Sequence, residues 1–145
     1  MGKRVKSQRQ PRTEKTPRIS KDANKLGQQF FRWRVHYDYI DLDHEEWGWR
    51  HLQIADFFNI LVNRLHSYED MTWDDLVSRK HCHPMPVTKI EIKAQNRLSK
   101  KCPDIDTLHS IDITSKCRIW GHKIGRSLYL IWHDPQHTVY LAKKR

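Results

Sequence analysis

Five side chains in the last third of this 145-residue sequence have the types and spacing for acid–base chemistry on a phosphodiester: Arg118, His122, Tyr129, His133 and Tyr140. Histidine and tyrosine move protons, and arginine grips phosphate oxygens with a planar fork. Cleaving RNA without a metal needs those groups: a base for the 2′-hydroxyl proton, an acid for the leaving oxygen and a fixed cation for the phosphate charge. The residues fall in and just after two strand-like runs, CRIWGHKI and SLYLIWHD, joined by Gly125-Arg126, a two-residue hairpin turn with glycine first. Pairing Ile124 with Ser127 sets His122 opposite Tyr129, Trp120 opposite Ile131 and Arg118 opposite His133, on one face because side chains alternate along a strand. Cys117, Ile119, Leu128, Leu130 and Trp132 then form the core face. A second turn at Pro135-Gln136 leads into HTVYLAKK as a third strand, adding Val139 and Leu141 to the core and Thr138 and Tyr140 to the other side. The expectation is an open sheet face carrying all five groups. The plainer reading of the same residues is the solvent side of a half-covered sheet.

Other constellations are weaker. His81, Cys82 and His83, with Cys102 and Cys117, lack the paired ligand spacing of a structural zinc site. His83 could instead reach the sheet face as a further proton-transfer group. Asp41, Asp43, Glu45 and Glu46 could hold a divalent ion, but their spacing fits no calcium loop, and such a run is usually a solvated turn. A thiol nucleophile at Cys82 is discounted because neighbours on extended backbone point apart. No glycine-rich phosphate loop is present, which argues against nucleotide-dependent chemistry; no cofactor is expected, and with no ligand spacing that fits one, no metal.

The elements that must position these groups lie upstream. FFRWRVHYDYIDL alternates aromatic and polar residues, which predicts a half-buried strand. Leu52, Ile54, Phe57, Phe58, Leu61, Leu65 and Tyr68 recur at helical spacing, which predicts an amphipathic helix over 50–68. Thr72 with Asp75 forms a capping box for a short helix at 73–80, ended by Pro84 and Pro86. Within 87–115, KIEIK reads as a short strand, AQNRLSKK as one or two helical turns, and DIDTLHSIDI fits no single element. The fold class is therefore α+β: an N-terminal strand, two helices, then a C-terminal antiparallel three-stranded meander.

Composition bounds the rest. The chain carries 27 Lys and Arg against 17 Asp and Glu, a formal net charge of +10, with 37% apolar residues and six Trp, five Tyr and four Phe. That aromatic content excludes a wholly disordered chain, and no apolar run approaches the ~20 residues that span a bilayer. No apolar block follows the first basic residues, which argues against a secretory signal. Three unpaired Cys suit a reducing, cytoplasmic setting. The charge is uneven. Residues 1–25 hold nine basic and two acidic residues, residues 26–110 hold eleven and thirteen, and residues 111–145 hold seven and two. The chain thus divides into a basic tail, 1–27, expected to be disordered, and an α+β domain, 28–145. The tail, with Lys116, Lys123, Arg126, Lys143, Lys144 and Arg145, reads as an electrostatic collector of a polyanion.

The element order and the segment RIWGHKIGRSLYLIWHDPQHTVY, with its YLIWHDPxHxVY ending, resemble the RelE/ParE-like toxin superfamily. The likeness covers residues 30–145 as topology and 117–140 as recognisable sequence; the 81–110 insert and the basic tail depart from it. It implies a small messenger-RNA endonuclease, free or ribosome-dependent, with metal-independent attack of a 2′-oxygen on the neighbouring phosphate. On that reading Arg118 holds the phosphate, His122 and His133 transfer protons, and Tyr129 orients or stacks a base. RNA or the ribosome would be the target, and an acidic antitoxin protein a further partner. A different class fits the same charge: a non-catalytic RNA- or ribosome-binding module. A third is an interaction protein whose basic tail docks on an acidic partner.

Overall fold

The computed structural model describes residues 26–141; the tail to residue 25, and Lys143, Lys144 and Arg145, lie outside the described residues. Five strands, β1 (Arg32–Arg34), β2 (Cys82–Pro86), β3 (Thr107–Asp112), β4 (Arg118–Ile124) and β5 (Ser127–Asp134), form one mixed sheet in the order β1-β5-β4-β3-β2. β2 through β5 are successively antiparallel, and β1 joins the far side of β5 in parallel. The chain is α+β.

The helices cover both faces. A turn of α-helix at Ile54–Asp56 passes through a π-helical segment, Phe57–Val62, into Asn63–Tyr68, together α1. The wider π turn displaces the apolar stripe, so Leu61, Leu65 and Tyr68 are buried while Ile54 and Phe58 face outward. α2 (Trp73–Ser78) starts at Thr72, whose hydroxyl accepts the Asp75 N–H at 3.1 Å, as its capping box predicts. It ends at a left-handed residue, Lys80, φ 63°, with the His81 N–H bonded back to the Leu76 carbonyl. Pro84 and Pro86 therefore do not terminate that helix; they belong to the edge strand β2. Prolines two apart occupy alternate positions whose missing N–H groups would point away from β3, which an edge strand tolerates. KIEIK is not a strand: Val87–Lys89 is a 3-10 turn, and α3 (Ile92–Lys101) follows.

α1 and α2 pack on one face over Ile111, Ile119, Leu128 and Leu130. α3 and the Trp47 segment pack on the other over Leu108, Trp120 and Trp132. The expected open sheet face is thus a second buried core. Its lid is fastened by Asp41, 1% exposed, whose carboxylate accepts from Arg97 of α3 at 2.7 and 2.8 Å and from Trp132 Nε1 at 2.8 Å.

Three further expectations change. The N-terminal strand is short because His36 turns the chain: its carbonyl accepts the N–H of Tyr39 and of Ile40, and its Nδ1 that of Asp38. The segment after Pro135-Gln136 forms no third strand in the described residues. Asp134 captures its amides instead, accepting from Thr138 N at 2.8 Å and Val139 N at 3.0 Å. Val139 is buried, but in the core under α3, and Leu141 is exposed. The β4–β5 register holds from Ile124–Ser127 through His122–Tyr129, with Gly125 at φ +62° in the turn. A bulge then intervenes: Gly121 opposes Leu130, Trp120 opposes Trp132, and Ile131 has no opposite residue. A Cβ at Gly121 would lie 2.6 Å from the Tyr129 carbonyl oxygen, so only glycine permits this approach. The freed Ile131 carbonyl accepts from Asp41 N and Trp49 Nε1, both at 3.0 Å.

Candidate functional site

The bulge divides the expected constellation. Beyond it Arg118 faces Asp134 rather than His133, and Trp132 moves from the expected core face to the α3 face. His133 turns to the α1 face, 9% exposed, its ring 5.7 Å from that of Trp49, and burial holds its imidazole below the usual histidine range. Arg118 and His122 remain on the α3 face but four residues apart, about 13 Å along an extended strand. They cannot serve one phosphate together. Tyr140 sits half-buried at the margin of the α3 core.

Each end of β4 has its own neighbours. At the Arg118 end the sheet places Asp112 and Asp134 on either side of the arginine. Arg118 Nε lies 2.8 Å from Asp112 Oδ1, and Nη1 donates to the carbonyls of Thr114 and Cys117 at 2.8 and 3.1 Å. Its Nη2 has no hydrogen-bond partner among the described residues. His83 reaches in from β2, with Nε2 3.6 Å from the same Asp112 oxygen. The Pro135-Gln136 turn brings back His137, whose N–H meets the Asp134 carbonyl at 3.5 Å. His137 stands at φ 59°, a left-handed conformation that costs a non-glycine residue free energy and is held here by the amides bonded to Asp134. Burial lowers the His137 imidazole below its ordinary range, and the positive field of Arg118 adds to this.

This gives one end of the sheet a neutral imidazole, a second imidazole facing a carboxylate, and a guanidinium with unspent donors. Those are the parts of a proton-transfer centre around a phosphate. Two of them, His137 and Asp112, were not singled out from the sequence. Asp112 lay in the stretch that fits no single element. His137 stands in HDPQH, where the local pattern reads as the start of a strand.

No family model matches the chain, and neither curated proteins nor solved structures gave a match.

The His122 end is aromatic. His122 lies against Tyr39, ring centroids 5.5 Å apart, and Tyr39 against Tyr129 at 5.2 Å. His36 stacks on Tyr37 at 4.9 Å, and Tyr37 is 81% exposed. Burial holds His122 below the usual histidine range.

The basic residues are spread rather than gathered. Lys116 is exposed in the turn before Arg118. Lys123 is on the opposite face, its ammonium 4.9 Å from the Trp73 ring centre, and Arg126 is exposed in the hairpin turn. Three of the four residues of the acidic run are engaged in ion pairs: Asp41 with Arg97, Asp43 with Arg50, Glu46 with Lys93. Burial alone would raise the Asp41 carboxyl, but hydrogen bonds from Arg97 and Trp132 outweigh it and leave it below the usual range. Among the described residues no group of three His, Cys, Asp or Glu is arranged to hold a metal. Burial pushes the Cys82 thiol up to about 12 and Cys117 to about 11, which leaves both protonated at neutral pH. No described helix is long and apolar enough to cross a membrane.

Proposed function

We propose that this protein is a metal-independent endoribonuclease acting on messenger RNA, of the RelE/ParE-like toxin kind, with its centre at the Arg118 end of the sheet. The observation that carries this reading is the convergence of His83, Arg118 and His137 about Asp112 and Asp134. Neutral His137 takes the 2′-hydroxyl proton, and the 2′-oxygen attacks the adjacent phosphorus. The bond to the 5′-oxygen breaks, and that oxygen takes a proton from His83, whose ring faces the Asp112 carboxylate at 3.6 Å. The products are a 2′,3′-cyclic phosphate and a 5′-hydroxyl. Arg118 Nη2 meets the charge that builds on the non-bridging oxygens. The basic tail, Lys116 and the C-terminal Lys143, Lys144 and Arg145 supply salt-dependent attraction. The ribosome as the setting, and an acidic antitoxin as a partner, belong to the same proposal.

The experiment is RNA cleavage in EDTA, with and without ribosomes, by the full chain and by His83→Ala, Arg118→Ala and His137→Ala. Each variant is expected to lose cleavage by about 10²–10⁴-fold, the range for a positioned acid, base or charge donor. Full cleavage by all three overturns the assignment. The exposed aromatic group around Tyr37 favours a second reading, a non-catalytic RNA- or ribosome-binding module. That reading expects salt-sensitive binding with no cleavage in either setting.

A further inference from the structure

At the His122 end of β4, Tyr39 and His122 form one side of a hollow of about 220 Å³ that also touches Asp38, Lys101, Asp104 and Ile105. The volume is below the 300–1,000 Å³ typical of drug-sized ligands and suits a fragment such as one heteroaromatic ring. Its wall is already a set of stacked or tilted rings: Tyr39 touches both His122 and Tyr129, and the His36–Tyr37 pair continues the surface outward. Such a wall takes the face of an unpaired base, and aromatic platforms for single-stranded RNA work this way. The polar atoms on the rim choose the base. Asp38 and Asp104 are exposed carboxylates, which only accept hydrogen bonds. They match the amino group of cytosine and offer nothing to the corresponding carbonyl of uracil. Lys101, in the last turn of α3, supplies the cation for the neighbouring phosphate.

We infer that this hollow is a base-binding subsite that stacks one unpaired nucleotide on Tyr39 and selects a base bearing an exocyclic amino group through Asp38 and Asp104. It deepens the reading of the protein as an RNA-cleaving enzyme, and rests on that reading for RNA as the ligand. His122, on its wall, is four residues along β4 from Arg118, about 13 Å of extended strand, so the subsite holds a nucleotide away from the bond being broken. It would therefore set which sequences are cut without taking part in cutting them.

The test uses the full chain and fluorescently labelled 2′-O-methyl octamers of cytidine and of uridine, which cannot be cleaved by 2′-oxygen attack. The two bases have the same ring size and differ in the amino group. The cytidine octamer is expected to bind about fivefold or more tightly than the uridine octamer. Asp38→Asn and Asp104→Asn, both at exposed positions, should remove that preference chiefly by strengthening uridine, because the new amide can donate to its carbonyl as well as accept from the amino group of cytosine. Tyr39→Leu, which keeps an apolar side chain against the core, should weaken both octamers by about tenfold. Equal binding of the two octamers by the full chain overturns the subsite, and so does a cytidine preference that survives both Asp variants. A preference that is present, in a protein that cuts no RNA, upholds the subsite and removes only the cleavage reading.

Discussion

The two ends of β4 sit on one strand and on one face of the sheet, yet they hold different chemistry. Around Arg118 the neighbours are charged and proton-bearing: His83, Asp112, Asp134 and His137. Around His122 they are rings: Tyr39 and Tyr129, with His36 and Tyr37 beyond. Between them lies a dry stretch, Trp120 and Trp132, roofed by Trp47 and α3. Phosphate chemistry needs fixed charges within a few ångströms of each other, whereas base recognition needs flat apolar area with a few polar atoms on its rim. The bulge at Gly121 separates them, since without it His133 would share the face of Arg118 and Asp134 would not.

The sharpest way to break this comparison is to disable one end and read the other. Arg118→Ala should cut cleavage by about 10²–10⁴-fold while leaving the cytosine-over-uracil preference in place. Loss of both together would mean the two ends are one site. Arg97→Ala acts on both ends at once, because it leaves the buried Asp41 carboxylate without its cation and loosens α3. Chemical denaturation should show a loss of about 3–5 kcal/mol, and cleavage and base preference should fall in parallel. Gly121→Ala places a Cβ 2.6 Å from the Tyr129 carbonyl oxygen and 2.8 Å from Leu128 Cγ. Its expected cost is about 1–3 kcal/mol in the same measurement, by analogy with other forced overpacking. A neutral result would mean that the bulge can relax and is not what separates the ends.

Acid should act on both faces of the sheet, since burial also holds His122 and His137, at the two ends, below the ordinary histidine range. His109 and His133 on the α1 side are both held below the ordinary histidine range by burial, His109 to about 4. A histidine that resists protonation only when folded contributes stability that is complete above the unfolded value of 6.5 and is lost as pH falls from there towards the folded value. For His109 that loss is on the order of 3 kcal/mol by pH 4. Melting temperature is therefore expected to be level from pH 8 to about 7 and to drop below it, and His109→Asn should flatten the slope. The smallest effect belongs to Lys123→Ala, which removes a cation from the Trp73 ring. About 0.5–1 kcal/mol is expected, with no change in cleavage.

The outline of the sheet was legible where local rules dominate. Gly125 fixed the hairpin, and the His122–Tyr129 pair followed from it by alternation. Thr72 and Asp75 announced α2. What alternation could not carry was a single inserted residue: strict period 2 put His133 beside Arg118, and the only local sign otherwise was a glycine in mid-strand. The third strand failed for a related reason. Asp134-Pro135 reads as a turn, but nothing in the local pattern distinguishes a hairpin turn from a carboxylate that holds the next amides. His83 and Asp112 meet across strands β2 and β3, and at the first of these the proline pair reads as the end of a helix. Buried tryptophans under α3 show that polar flanks such as Arg118 and His122 do not make a face open.

The prolines of β2 bear on how the molecule meets its own copies. The outermost strand of a sheet presents unpaired N–H and C=O groups that invite another chain to continue the ladder. Here an approaching strand would find carbonyls at Pro84 and Pro86 but no N–H to answer its own acceptors. End-to-end growth of the sheet is closed on that side. At the opposite edge only the three residues of β1 are available. Association at the β2 edge is therefore left to side chains rather than backbone.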